Sequence, residues 1–197
     1  MEYIMANTSS SRTYNTESSG ISLNSNFYLQ NFYRGNRTLA KPTVRPDYNQ
    51  TELSYEDSRA LKRAASKLSS FSYTEEENGD NLVSSIQAFA ETYNNAIESS
   101  SSEDSDTYRQ NRQLKALCNK YGEELEDLGI TIEEDGKLTV NENLLKKSSF
   151  DEVKKVFSEE SEYITSVKRI AKRMHATSTE EIYAMMTGNG GRINIQL

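Results

Sequence analysis

Apolar residues recur along this chain at helical spacing in several stretches and at strand spacing in one. Leu82, Ile86, Phe89, Tyr93 and Ile97 follow one another at intervals of 4, 3, 4 and 4, and Val83 and Ala90 widen the stripe. That period predicts a helix, with Asp80 or Asn81 as its cap. Leu53, Ala60, Leu61, Ala64, Ala65 and Leu68 predict an earlier helix over 54–70, with Arg59, Lys62, Arg63 and Lys67 largely on its other side. Leu114, Leu117, Cys118 and Tyr121 share one helical face, Leu125 and Leu128 another that Gly129 stops, and Gly122 marks an interruption between them. This returning helix and the one carrying Leu82 to Ile97 are expected to pack antiparallel, with the hairpin beyond their end. Further on, Val153, Val156 and Phe157 make a short face, and Tyr163, Ile164, Val167, Ile170, Ala171 and Met174 a longer one. Ser178-Thr179-Glu180-Glu181 reads as a capping box that opens a separate brief helix carrying Ile182, Tyr183, Met185 and Met186, ended by the glycines of 188–191.

Between these helices the period changes to two. Ile130 and Ile132 alternate with Thr131 and Glu133, and Leu138 and Val140 alternate outward on the far side of Asp135-Gly136. This predicts a β-hairpin at 129–141 with a two-residue type I′ turn. Asn141 suits the N-cap of a helix carrying Leu144 and Leu145. Residues 1–50 show no sustained apolar period and are rich in Ser, Asn, Thr and Tyr, so they are predicted to be a disordered tail. Pro42 and Pro46 make residues 41–46 an extended linker. The predicted fold is mainly α: an antiparallel helical bundle, coiled-coil-like, with one small β-hairpin and a disordered N-terminal tail. Its organisation is a tail and linker over 1–50, a core module over 51–175, and a short helix and tail over 176–197.

The run Leu125, Leu128-Gly129-Ile130, Asp135-Gly136, Leu138, Asn141, Leu144-Leu145, with Val153 and Phe157 after it and Phe89, Tyr93-Asn94 before it, resembles the C-terminal part of the bacterial flagellar filament-capping protein family, hook-associated protein 2. The resemblance covers roughly residues 80–158 and concerns the helical core module. The chain is too short for the large β-rich domains that the family inserts, and its first 50 residues lack the family's coiled-coil heptads. The resemblance implies a non-enzymatic structural or assembly protein, with flagellar axial proteins or further copies of itself as partners. It also implies an extracellular, flagellar location reached through the flagellum's own export channel. Without it a cytoplasmic location is the default.

Composition narrows the function further. The 197 residues carry a net charge of −7 and a mean hydropathy of −0.79, which suits an extended helical protein better than a compact globule. No apolar run approaches the ~20 residues of a membrane-spanning helix. The first six residues lack the basic region and long apolar core of a secretory signal. Charge is segregated: residues 1–70 hold 9 basic and 6 acidic side chains, residues 71–164 hold 9 and 22, and residues 165–197 hold 5 and 2. The acidic middle disfavours nucleic-acid binding there. Attraction between the basic flanks of one copy and the acidic middle of another stands beside the plainer reading of solvated helix faces.

Catalytic chemistry finds little material. Cys118 is the only cysteine, so it closes no intramolecular disulfide, and its place among Leu114, Leu117 and Tyr121 marks a small buried hydrophobe. His175 is the only histidine and is expected at the surface. Phosphate-loop and dinucleotide fingerprints are absent, and Glu133-Glu134-Asp135 lacks the alternating ligands of a calcium loop. No catalytic, cofactor-binding or metal-binding residue is assigned. Asn7, Asn36 and Asn49 open glycosylation sequons, which arise by chance in so Asn- and Thr-rich a stretch. Three partner surfaces are predicted instead. The faces carrying Leu82, Ile86, Phe89, Tyr93, Ile97, Leu114, Leu117 and Tyr121 serve the bundle and self-association. The aromatic cluster Phe27, Tyr28, Phe32 and Tyr33 is either a sticker that captures a partner for a helical adaptor or a local feature without a target. Lys168, Arg169, Lys172 and Arg173 form a basic patch that lies on an anionic surface, pairs with the acidic middle, or is simply solvated.

Overall fold

The computed structural model describes residues 45–73 and 79–187. A 3-10 turn, Arg45–Asp47, leads into α1 (Gln50–Ser69), α2 (Gly79–Ser99), α3 (Tyr108–Lys120) and α4 (Gly122–Asp127). Strands β1 (Ile130–Ile132) and β2 (Leu138–Val140) follow, then α5 (Glu142–Leu145), α6 (Phe150–Phe157) and α7 (Glu162–Met186). The protein is a mainly helical bundle with one two-stranded antiparallel hairpin. Helix α1 packs between α2 and α7, α3 packs on α7, and the hairpin lies against α2 and α4. Among the described residues no helix is long and apolar enough to cross a membrane.

The core forms where the predicted stripes converge. Leu82, Val83, Ile86, Phe89, Ala90, Tyr93 and Ile97 are buried along α2, and Tyr163, Ile164, Val167, Ile170, Ala171 and Met174 along α7. At the centre, Phe89, Phe157 and Tyr163 meet edge to face with ring centroids 5.6–6.4 Å apart. Each such ring buries enough apolar surface to stabilise the fold by roughly 1.5–3 kcal/mol.

Helix α1 starts four residues earlier than its apolar pattern predicts. Asn49 and Glu52 form a reciprocal capping box, with bonds of 2.9 and 3.0 Å, which satisfies two otherwise orphaned amide donors. Its inward face also differs. Leu53, Ala60 and Ala64 are only half-buried, while Ser54, Tyr55 and Ser58 point inward. Those hydroxyl-bearing serines enter the core because each finds a partner there. Ser58 Oγ donates to Tyr55 O at 2.9 Å, and Ser54 Oγ lies 3.1 Å from both Thr107 Oγ1 and Ser178 Oγ.

The predicted extended linker gives way, where it is described, to the 3-10 turn at 45–47. Proline's fixed φ suits such a turn as well as an extended chain. The Arg45 guanidinium anchors it through two parallel 2.8 Å hydrogen bonds to the carboxylate of Asp57, whose side chain is 5% exposed. Residues 45–50 thus belong to the folded body rather than to the tail. Helix α2 already includes Asp80 and Asn81, so these are first-turn residues instead of caps. An acidic Asp80 there complements the helix dipole.

The separate helix predicted from Ser178 does not form, because α7 runs unbroken from Glu162 to Met186. Ser178 lies one turn after Met174 and one before Ile182 on the buried stripe, and its hydroxyl donates back to Met174 O at 3.0 Å. The boundary drawn at 175/176 falls inside this helix. The box pattern does cap at Ser149, whose side chain and that of Glu152 close the start of α6.

The hairpin forms in the predicted place with Ile130 opposite Val140 and Ile132 opposite Leu138. Its turn is longer than predicted. Glu133 N donates to Lys137 O and Gly136 N to Glu133 O, both at 2.8 Å, with Gly136 at φ 84°. This is a three-residue loop in which a β-turn is followed by a left-handed residue, not a two-residue type I′ turn. Gly129, at φ 76°, ends α4 as predicted. A Cβ there would stand 2.6 Å from Leu144 Cβ, so glycine is also needed for the close approach of α5. Asn141 caps α5 by accepting from Asn143 N and Leu144 N.

Candidate functional site

Beside the buried packing of Ile130 and Leu138, one side chain bonds the hairpin backbone to the bundle. In the ladder, the bonds Glu133–Lys137 and Asn141–Gly129 make Leu138 a position whose own N–H and C=O point away from β1. Asn94 on α2 meets both groups: its Nδ2 donates to Leu138 O at 2.8 Å, and its Oδ1 accepts from Leu138 N at 2.7 Å. The amide thus stands in for a third strand. Lys137 reaches Glu98 at 3.4 Å and seats the turn one helical turn further along α2. The turn itself and α4 present Glu123, Glu124, Glu126, Asp127, Glu133, Glu134 and Asp135, all exposed.

The predicted partner faces lie in the protein's own core. Leu82, Ile86, Phe89, Tyr93, Ile97 and Leu114 are at most 5% exposed, and Leu117 and Tyr121 are partly buried against them. These side chains are covered within one chain, so a second copy meets them only if the bundle opens. The aromatic cluster Phe27, Tyr28, Phe32 and Tyr33 lies outside the described residues.

The basic patch divides. Lys172 and Arg173 are exposed, and Arg169 is exposed while donating to Ser166 Oγ at 3.1 Å. Lys168 is half-buried and its Nζ donates to Ser69 Oγ on α1 at 2.9 Å. The contacts Lys168–Ser69, His175–Tyr55, Ser178–Ser54 and Glu181–Thr51 show α1 and α7 running antiparallel. They bring Arg59, Lys62, Arg63 and Lys67 of α1 beside the basic residues of α7. The α1 side of this cluster drew no notice in the sequence as part of a patch, because nothing in the sequence pairs the two helices.

His175 is half-buried rather than a surface residue. Its ring stacks at a tilt on Tyr55, with centroids 4.5 Å apart, and Nδ1 lies 3.3 Å from Tyr55 O. A carbonyl only accepts, so this contact places a proton on Nδ1. Burial lowers the imidazole pKa below its ordinary value. The Tyr55 carbonyl opposes this, while the charges of Lys62, Arg59 and Arg63 add to it. Cys118 is fully buried with its Sγ 3.4 Å from Tyr163 Oη, and burial raises its thiol pKa, partly offset by hydrogen bonds from Tyr163 and Tyr93. Such a thiol is not activated as a nucleophile. A cleft between the start of α2 and α5–α6 is lined by Leu82, Val83, Leu145, Phe150 and Val153, with Asp80 and Lys146 3.6 Å apart at its rim. Among the described residues no group of three or more His, Cys, Asp or Glu is arranged to hold a metal ion.

No family model, curated protein or solved structure matches this chain.

Proposed function

We propose that this chain is a non-enzymatic assembly module that acts by presenting a rigid charged surface to protein partners, its own copies among them. The observation that carries the reading is the two-way Asn94–Leu138 clamp, aided by the left-handed Gly129, which fixes a solvent-facing hairpin on a packed bundle. Here the buried polar geometry positions an outward-facing element, and the titratable side chains it leaves exposed are surface charges. The kinship with the flagellar filament-capping family belongs to the same proposal, with the paired helices and hairpin as the shared part. Partners then meet the outside of the bundle, because its apolar stripes face inward. Sedimentation of the full chain over a concentration series tests the assembly reading. The average mass is expected to rise with concentration, and a fixed monomer mass throughout counts against it. Export into the medium that depends on a flagellar secretion apparatus tests the kinship, and export unaffected by its loss sinks that part alone.

A further inference from the structure

Resting on the assembly reading, we infer that the α1/α7 face is a docking surface for the acidic α4–hairpin flank of a second copy of this chain. The two helices form a composite basic face. Residues 58–73 and 163–179 contain no Asp or Glu, yet they hold Arg59, Lys62, Arg63 and Lys67 on one helix and Lys168, Arg169, Lys172 and Arg173 on the other. The antiparallel contacts between α1 and α7 lay these two sets side by side. Lys62, Arg63, Lys67, Lys172 and Arg173 make no ion pair among the described residues.

The complement is elsewhere on the same molecule. The hairpin packs on α2 and α4, with Lys115 of α3 against Gly136, so it sits beside those helices rather than on the pair α1 and α7. Of the seven carboxylates on α4 and the turn, only Asp135 is in an ion pair among the described residues, with Lys137 at 3.7 Å. The Asn94 clamp fixes the hairpin to α2, so a molecule cannot swing its own flank onto its basic face. A neighbour can supply it. Two unlike surfaces on one molecule make a heterologous contact, which repeats head to tail into an open chain of molecules unless the rotation closes a ring. A polyanion such as a nucleic acid would also be attracted to the basic face. The second copy is favoured because the opposite charge is present on this chain at comparable density and unpaired.

The test uses the full chain and two variants at exposed positions without side-chain partners. K62E/R63E/K172E/R173E reverses the basic face, and E126K/E133K/E134K reverses the acidic flank. Circular dichroism and thermal melting confirm that each folds. In sedimentation velocity at low salt the unaltered chain is expected to form assemblies that weaken at least about tenfold as salt is raised, since exposed charges are screened beyond roughly 8 Å at physiological ionic strength. Each variant alone is expected to stay monomeric. Mixed in equal amounts, the two should associate again, because the intact acidic flank of one meets the intact basic face of the other and the two reversed surfaces are complementary in their turn. Assembly that survives both reversals overturns the inference and leaves the assembly reading standing. A chain that never associates overturns both. Retention on heparin or on anionic vesicles that the basic-face variant loses, with no pairing in the mixture, overturns it in favour of a polyanionic partner.

Discussion

Asn94→Ala removes the hydrogen-bonded tie between β2 and α2. Two hydrogen bonds disappear, and Leu138, 3% exposed, is left with an N–H and a C=O that β1 does not reach. A buried group deprived of its partner costs about 1–3 kcal/mol. Asn94 itself is half-exposed, so water relieves part of the deficit, and the expected loss is about 2–4 kcal/mol for the pair. Against a total stability of roughly 5–15 kcal/mol this is a large fraction. Urea denaturation followed by circular dichroism measures it, and amide hydrogen exchange at Leu138 localises it. Asn94→Asp keeps the acceptor for Leu138 N–H but sets a carboxylate against Leu138 O. Its deficit should shrink as the pH falls far enough to protonate the new side chain, which then regains a donor. A change below about 0.5 kcal/mol in Asn94→Ala, with exchange at Leu138 unaltered, would refute the idea that this amide acts as a surrogate strand.

Gly129→Ala should destabilise by clearly more than Gly136→Ala in the same denaturation assay. Both need a left-handed backbone, worth about 1–2 kcal/mol. A Cβ at 129 also meets Leu144 Cβ at 2.6 Å and Asn141 O at 3.2 Å, whereas one at 136 meets only the flexible Lys115 side chain. Stability should fall as the pH drops below about 6.5, because the His175 pKa is lower in the folded state than in the unfolded chain and the unfolded chain then takes up more protons. The contribution is fully present above the unfolded value and is lost as the pH falls through the folded value. His175→Gln should flatten that part of a melting-temperature profile. Arg45→Ala leaves the nearly buried Asp57 carboxylate unpaired and should cost about 2–3 kcal/mol in urea unfolding, less than a fully buried pair because Arg45 is 26% exposed. Arg45→Met with Asp57→Leu should recover most of that loss.

Much of the architecture could be read from the chain because local signals agreed with one another. The stripes on α2 and α7 have unbroken 3-4 spacing, and the hairpin has alternation, a glycine at its turn and a cap after it. Where expectation and structure part, a polar residue has taken an inward role that hydrophobic periodicity does not register. Ser54 and Ser58 rotate the buried face of α1 because their hydroxyls find partners at Thr107 just before α3, on α7 and in their own helix. The pattern Ser-x-x-Glu occurs at both 149 and 178, and only the first caps a helix. At 178 the apolar stripe continues across the serine without a breaker before it, and that continuity was the better guide. The Asn49-x-x-Glu52 box was equally visible and would have placed the start of α1 correctly. The Asn94 clamp and the Arg45–Asp57 pair join residues 44 and 12 positions apart, and no local pattern announces them. The joined basic face has the same origin, since two separate charge runs become one surface only through the pairing of α1 with α7.

Because α1 and α7 are antiparallel, the described chain enters at Arg45 and leaves at Thr187 from the same end of the bundle. A pull on both termini would therefore act like opening a zip. It would load the Thr51–Glu181 contact first, then Ser54–Ser178, then His175–Tyr55, one after another. A load passing through the side faces would instead be shared by the whole helix pair at once, so the body should tolerate sideways traction far better than traction between its two ends.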